Sequence, residues 1–212
     1  MLKGKKILVT SGATAVKIDE VRVITNRSTG EMGRLIAQAL VKNKASVTLL
    51  ESQSAALEFS LKKANLLKFF YYSELEKLLK SELKKGYDCV IHAAAVSDFE
   101  PKKVFSGKLP SKNFLTLHLK PTKKLVTKIK KIAPKTFLVG FKLETSLKKD
   151  FIFKATKSLF QEAHCDLVLA NVVKGREYQA CLMTPDAKAT PPVSTKKDIV
   201  KALIRKIDEI LL

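Results

Sequence analysis

The segment KKILVTSGATAVKIDEVRVITNRSTGEMGRLIAQAL, Lys5 to Leu40, decides the fold. KKILVT (Lys5 to Thr10) is a short apolar run of β character, and SGAT (Ser11 to Thr14) is turn-rich. From Gly30 onward, Met32, Leu35, Ile36, Ala39 and Leu40 fall at i, i+3, i+4, i+7 and i+8, the spacing of one buried helical face. Arg22, Asn26 and Ser28 therefore sit just ahead of a helix N-terminus. Free backbone N–H groups and the helix dipole favour an anion there.

Working outward, SVTLLE (Ser46 to Glu51) reads as a second strand and LLKFFYY (Leu66 to Tyr72) as a third. A helix follows from Ser73, which has capping-box spacing to Glu76 and an apolar stripe at Leu75, Leu78, Leu79 and Leu83. DCVIHAAA (Asp88 to Ala95) reads as a buried strand. This repeating order predicts an α/β fold: a Rossmann-like, mostly parallel sheet flanked by helices. Ligands of such sheets bind at the carboxyl ends of the strands. Both Ser11 to Gly33 and AAAVSDFEPKK (Ala93 to Lys103) fall at such ends, where they could share one site.

Val96 to Ser111 carries Pro101, Gly107 and Pro110 among Lys102, Lys103, Lys108 and the following Lys112, the composition of an irregular, mobile flap. NFLTLHLK (Asn113 to Lys120) alternates as a strand does, and a helix is expected over about Thr122 to Ile132. The strand TFLVGFKLE (Thr136 to Glu144), a helix over about Lys148 to Ala163 and the strands DLVLAN (Asp166 to Asn171) and YQACLMT (Tyr178 to Thr184) come next. Thr195 and Asp198 have capping spacing for a last helix with Ile199, Val200, Leu203, Ile204 and Ile207 on its core face.

With 212 residues and 46% hydrophobic content the chain can bury one substantial core, so a single domain over 1–212 is expected. No apolar run approaches the roughly 20 residues that span a bilayer. The amino terminus leads into a strand with no cleavable signal pattern, so a cytoplasmic protein without a membrane partner is expected. Cys89, Cys165 and Cys181 lack CxxC spacing and read as reduced, mostly buried small hydrophobes. His92, His118 and His164 are scattered, and neither HExxH nor GxSxG occurs.

The net charge of +20 concentrates anions of any kind. Its lysines are dispersed through amphipathic segments, and only 7% of residues are aromatic, which argues for solvated helix faces over a stacking platform for nucleic acid. Gly12, Gly30 and Gly33 do not make GxGxxG, so the dinucleotide fingerprint is weak. Asp19 could equally orient Arg22 or cap a turn. The small residues Ala93, Ala94 and Ala95 could admit a flat ring or simply pack closely, and Asp98 offers an acceptor for a base, a ribose or a metal. Judged alone, Lys108 reads as a solvated lysine and Phe141 as core.

Taken together, ILVTSGAT, IDEVRVITNRSTGEMG, AAAVSDF with GKL beginning at Gly107 beyond it, LVGFKLET and DLVLAN, in that order from Ile7 to Asn171, resemble the phosphopantothenoylcysteine synthetase (phosphopantothenate cysteine ligase) family of coenzyme A biosynthesis. The resemblance implies a homodimer that joins 4'-phosphopantothenate to L-cysteine through an acyl-nucleotidylate. CTP is favoured over ATP as cosubstrate, and magnesium or manganese, with ligands unassigned, accompanies it. Nothing precedes the first strand, so a free-standing synthetase without a flavin-dependent decarboxylase domain, and hence without flavin, is expected.

By the resemblance, Asn26 contacts the activated carboxylate, Arg22 is the nearby basic residue, and Ser28 and Gly30 complete the substrate side. Lys108 matches the flap lysine that neutralises charge at the reacting phosphate. On the nucleotide side stand Gly12, His92, Ala93, Ala94 and Asp98, the turn Lys123, Lys124, Leu125 and Val126, and Phe141 beside the base. The family helix before DLVLAN presents two lysines to the triphosphate. Here Lys157 aligns with one, while Glu162 or Ala163 stands near the other. Two rival readings are an NAD(P)-binding Rossmann-type oxidoreductase, which lacks its GxGxxG and Tyr-x-x-x-Lys signatures here, and a basic nucleic-acid-binding protein.

Overall fold

A computed structural model describes residues 2–55, 61, 63–111, 114–175 and 177–212. Along the chain it runs β1 (Lys6–Ser11), β2 (Ala15–Lys17), β3 (Val23–Thr25), α1 (Glu31–Lys42), β4 (Ser46–Ser52), β5 (Ala64–Phe69), α2 (Tyr72–Leu83) and β6 (Cys89–His92). Then come β7 (Phe99–Pro101), β8 (Leu119–Pro121), α3 (Val126–Ile132), β9 (Phe137–Glu144), α4 (Lys149–Gln161), β10 (Leu167–Lys174), β11 (Glu177–Met183) and α5 (Lys196–Leu211).

Seven strands pair in the order β11-β10-β9-β6-β1-β4-β5. Every pairing is parallel except the β10–β11 hairpin, which closes one edge. From β1 the chain builds outward to β4 and β5, then crosses back to β6, β9 and β10. The order therefore reverses between β1 and β6, and the crevice outside the carboxyl ends of those two strands is where such sheets take ligands.

Both sheet faces are covered, which is why the strands read as continuous apolar runs. Ile7, Val9, Leu49, Ile91, Val139 and Leu169 pack against Ile36 and Leu40 of α1 and Leu203 and Ile207 of α5. Leu8, Leu50, Val90, Leu138 and Val168 pack on the other side among Leu75 and Leu79 of α2, Ile129 of α3 and Ile152 of α4. Each such side chain, removed from water, contributes about 1.5–3 kcal/mol. The last helix starts as its sequence predicts: the Asp198 N–H donates to Thr195 Oγ1 at 3.1 Å, and all five expected core residues are buried.

Several elements depart from expectation. On α1, Gly33, Ile36, Ala37 and Leu40 are buried, whereas Met32, Leu35 and Ala39 are only partly covered. The apolar stripe is broad because the helix leans on α5 as well as the sheet. Helix α2 begins at Tyr72, and its cap is Glu74, whose carboxylate accepts from the Phe70 and Tyr71 N–H groups at 2.7 and 2.9 Å. Ser73 is exposed, and Glu76 pairs with Lys128 instead.

NFLTLHLK is not a strand over its length: only Leu119–Pro121 pairs, with β7, and Phe114 and Leu115 are exposed. Alternation without a neighbouring strand leaves the backbone unpaired. Asn113 and Lys112 lie outside the described residues. Helix α3 starts at Val126 rather than near Thr122, because 121–124 continue from β8 into a turn. The antiparallel pair β2–β3, inside the polar connection after β1, has no counterpart in the expected elements.

Candidate active site

At the end of β1 the backbone must pass close to β4. Gly12 has φ +84°, and a Cβ there would lie 2.6 Å from that of Ser52, so a side chain is excluded on both counts. Gly33 is excluded by contact alone, 2.6 Å from Ser11 Cβ. This brings α1's first turn against the strand end, where Ser11 Oγ donates to the Gly30 carbonyl at 2.7 Å. Gly30 caps the helix without a side-chain hydrogen bond of its own, and the Glu31 N–H donates to Thr29 Oγ1 at 3.4 Å.

The second wall comes from the end of β6. Ala95 N–H donates to the Gly12 carbonyl at 2.8 Å, and Thr14 N–H to the Ala95 carbonyl at 3.3 Å, stitching the two loops together like short strands. Asn26 completes the seam: its Nδ2 donates to the Ala95 and Val96 carbonyls at 3.2 and 3.1 Å. Only the amide nitrogen can face two carbonyl oxygens, so the orientation is forced and Oδ1 points away from the seam as an acceptor. The two segments placed at strand ends by sequence lie against one another.

Hydroxyl groups hold this seam. Ser97 N–H donates to Thr14 Oγ1 at 2.8 Å, Ser97 Oγ to the Thr14 carbonyl at 3.1 Å, and Thr122 Oγ1 to the Ser97 carbonyl at 2.6 Å. Sequence reasoning missed Thr10, Thr14, Ser97 and Thr122. Their signal is a hydroxyl residue beside each small-residue run at a strand end. Thr10 Oγ1 accepts from the Ala94 N–H at 3.0 Å and lies within hydrogen-bond reach of His92 Nδ1, at 3.1 Å. Burial pushes the His92 imidazole down to about 4, and it stands neutral beneath Ala93 and Ala94.

On the nucleotide side of the expected site, Asp98 pairs with Lys124, and both side chains remain well exposed. The Asp98 carbonyl accepts from the Thr122 N–H at 2.9 Å, which sets the 122–125 turn beside the β6 end. Lys123 is exposed, and its carbonyl accepts from Tyr72 Oη at 2.6 Å. Leu125 is only 2% exposed and belongs to the core with α2, so the turn can offer a ligand its backbone but not that side chain. Val126 and Phe141 are half-buried, and Phe141 borders the sheet face that carries α1.

The fold does not bring Lys157 to the crevice. It is exposed on α4, which starts at Lys149 beyond the ligand end of β9, and lies about 12 Å farther along the helix axis at roughly 1.5 Å per residue.

Arg22 and the flap meet away from the α1 terminus. The flap is irregular over 102–111 but tethered: Phe105 N–H donates to the Ile18 carbonyl at 2.9 Å, and Arg22 Nη2 to the Leu109 carbonyl at 2.9 Å. Lys108 is exposed on this tethered loop, and Ser28 is half-buried near Asn26, whose carbonyl accepts from Ser28 N–H at 3.1 Å. Among the described residues no group of three His, Cys, Asp or Glu side chains converges on a point. The three thiols are free and buried, and burial pushes each of them up, away from nucleophilic use.

The acid at the end of β4 tests the dinucleotide reading, since an acid at the end of the second strand would hold a ribose. Glu51 is fully buried, clamped by Arg34, whose Nη2 donates at 2.7 Å, and by Lys68 at 2.6 Å. Burial opposes its charge, but the two cations hold it below the usual carboxylate range. That carboxylate has no face left for a ribose. Two surface clefts, of about 580 Å³ between α1 and α5 and about 500 Å³ between α2 and α3, run along helix pairs. The site is therefore assigned by topology and hydrogen bonding, not by cleft size.

A family model described as the DNA/pantothenate metabolism flavoprotein C-terminal domain matches residues 2–211. The chain is 38% identical over 214 residues to the coenzyme A biosynthesis bifunctional protein CoaBC of Thermococcus kodakarensis, covering 99% of this chain and 52% of that protein. It is 28% identical to the protein of the same name from Methanocaldococcus jannaschii, with the same shares covered. The chain thus spans about half the length of these curated relatives. A crystal structure of the DNA/pantothenate metabolism flavoprotein from Streptococcus pneumoniae superposes with a TM-score of 0.87 at 26% identity, covering 98% of this chain and all of that one. The C-terminal domain of a bifunctional protein CoaBC gives 0.81 at 28% identity, covering 99% and 97%.

Proposed function

The chain belongs to the family of the DNA/pantothenate metabolism flavoprotein C-terminal domain, and from that membership we propose that residues 1–212 act as one phosphopantothenate–cysteine ligase domain in the cytoplasm. The reaction joins the carboxylate of 4'-phosphopantothenate to the amine of L-cysteine. The observation that supports this reading is the Asn26 seam, which holds the loop after β1 against the loop after β6 at the switch point of the sheet.

A carboxylate is a poor electrophile, so it must first be activated. A carboxylate oxygen attacks the α-phosphorus of CTP, forming the acyl-cytidylate and expelling pyrophosphate. The cysteine amine then attacks the acyl carbon, a C–N bond forms, the bond to CMP breaks, and the ammonium proton is released. Lys108 places a positive charge beside the reacting phosphate, where a preorganised cation is most effective. The start of α1, with Gly12, Ser28 and Gly30 around it, suits phosphate or carboxylate oxygens.

Arg22 is 35% exposed and meets the anionic substrate from the flap side. Asn26 Oδ1, free of the seam, accepts from the incoming amine and aligns it. Ala93 and Ala94 leave room for the nucleoside, with Phe141 beside the base and Lys123 and Lys124 near the phosphates. Magnesium or manganese on a nucleotide draws most of its shell from phosphate and water and needs only one or two carboxylates. Asp98 is the exposed acid that fits this demand, and the bound ion would supply charge neutralisation.

A homodimer is supported by large apolar side chains exposed on the loops after β1 and β6, Val21, Phe99, Val104, Phe114, Leu115 and Leu119 among them. The deciding experiment is a coupled assay of pyrophosphate release with phosphopantothenate, cysteine and either CTP or ATP. Release that requires phosphopantothenate and is faster with CTP is expected. No release with either nucleotide would overturn the reading.

A further inference from the structure

Asp19 is 1% exposed, yet its carboxylate contacts no core group. One oxygen, Oδ1, accepts from the Val21 and Arg22 N–H groups at 2.8 and 2.6 Å, the pattern by which an aspartate closes its own turn. The second oxygen is not needed for that turn. It accepts from the N–H of Leu109 at 3.1 Å and faces Arg22 Nη1 at 3.4 Å.

Arg22 Nη2 in turn donates to the Leu109 carbonyl at 2.9 Å, so the Asp19–Arg22 pair grips both polar groups of one flap residue. That residue follows Lys108 directly. Around it, Glu20 N–H donates to the Gly107 carbonyl at 3.4 Å. Gly107 has φ +68° and nothing within 4 Å of where a Cβ would stand, so the loop has little packing of its own to hold it.

We propose that Asp19 is a positioning residue for the ligase reaction: one buried carboxylate fixes the flap at Leu109 and the Arg22 guanidinium together, so that Lys108 and Arg22 address the same bound substrate. This rests on the ligase reading above. Burial opposes the charge on Asp19, but the N–H groups of Leu109, Val21 and Arg22 and the Arg22 cation together hold it below the usual carboxylate range. The latch is therefore ionised throughout the neutral range.

The two oxygens can be separated by substitution. Asp19→Asn keeps an acceptor for the turn but presents an NH2 group to the Leu109 N–H and to Arg22. In the full chain, the expected results are an unchanged thermal midpoint, faster amide hydrogen exchange confined to 102–111, and a kcat for pyrophosphate release lower by about ten- to a hundredfold, since misplacement by about 1 Å can cost that much. The KM for cysteine should not move.

Wild-type kcat and exchange in Asp19→Asn would overturn the proposal. So would exchange that rises across the whole sheet with a lowered midpoint, which marks a role in folding only. Should Asp19→Asn fail to fold, Leu109→Pro removes the flap N–H from an exposed loop while leaving Asp19 and the Leu109 carbonyl in place, and the same flap-confined loosening and kcat loss are expected. If the wild type releases no pyrophosphate, the ligase reading fails, and local exchange alone then decides whether the latch exists.

Discussion

The sheet and the layer of loops lying on the carboxyl ends of β1, β4, β5 and β6 are held by different forces. Ile7, Leu8, Val9, Val90, Ile91 and Leu169 are wholly buried, and the sheet is stabilised mainly by the apolar area they remove from water. The loop layer, 12–30, 93–111 and 114–121, mixes buried and exposed residues and is held together by carbonyls, hydroxyls and the Asp19 carboxylate: Asn26 to Ala95 and Val96, Ser97 to Thr14, Asp19 to Leu109. Stability resides in the first and the chemistry in the second. Mutations in either should therefore leave the other property alone.

The largest effect is expected in the sheet. Leu8→Ala, at a fully buried position in the middle of β1, should cost about 3–4 kcal/mol by lost transfer energy plus the cavity left behind. A urea midpoint measures it. The rate per folded molecule should be unchanged, and a large fall in that rate would erase the proposed division.

In the loop layer the order reverses. Lys108→Gln removes an exposed charge and should leave the urea midpoint in place, yet slow pyrophosphate release about a hundredfold, roughly 3 kcal/mol in the barrier. Wild-type release in this variant would remove Lys108 from the chemistry. Asn26→Asp turns an oxygen toward two carbonyl oxygens and sets an anion beside the bound carboxylate. Slower amide formation with the acyl-nucleotidylate accumulating is expected, and quenched-flow mass spectrometry would detect it.

His92 lies on the boundary and gives a pH test. Its folded value of about 4 is below the unfolded 6.5, so the unfolded chain binds the extra proton between those limits. Stability is then fully present above 6.5 and falls as pH drops toward 4, by up to about 3 kcal/mol at ~1.4 kcal/mol per unit. The depressed carboxylates Asp19, Glu51, Glu74 and Asp186 begin to respond below about pH 5, so only the acid end of this window is shared with them. His92→Gln should flatten the slope between pH 6.5 and 4, and an unchanged slope would refute the assignment.

The same division explains what could be read from sequence. Strands buried on both faces write their position as apolar runs, so β1, β4, β6, β9 and β10 are legible, as is α5 with its Thr195 cap. The polar layer has no period. Asp19 bonds a residue far along the chain, and nothing in its neighbours announces Leu109. Phe114 to His118 alternate without a partner strand, whereas β2 and β3 pair over only three residues each. Asn26 and Asp98 could be placed at strand ends from the sequence, but their roles, and any role for Lys108, came only by resemblance. Lys157 was named in the same way, and the fold places it far along α4.

The smallest effect sharpens the boundary itself. The start of α2 offers two candidate caps, Ser73 with Glu76 by spacing and Glu74 by geometry. The Glu74 carboxylate accepts from the N–H groups of Phe70 and Tyr71, and the Phe70 carbonyl accepts from the Ala15 N–H at 2.9 Å, where the loop layer joins the sheet edge. Ser73 is exposed. Glu74→Ala should therefore cost about 1 kcal/mol, the typical worth of a helix cap, while Ser73→Ala should stay within about 0.5 kcal/mol. Equal losses would restore the spacing argument. If Glu74→Ala also slowed pyrophosphate release, the strain of an uncapped helix would be reaching the site through Ala15, and the loop layer would be less independent of the sheet than its bonding suggests.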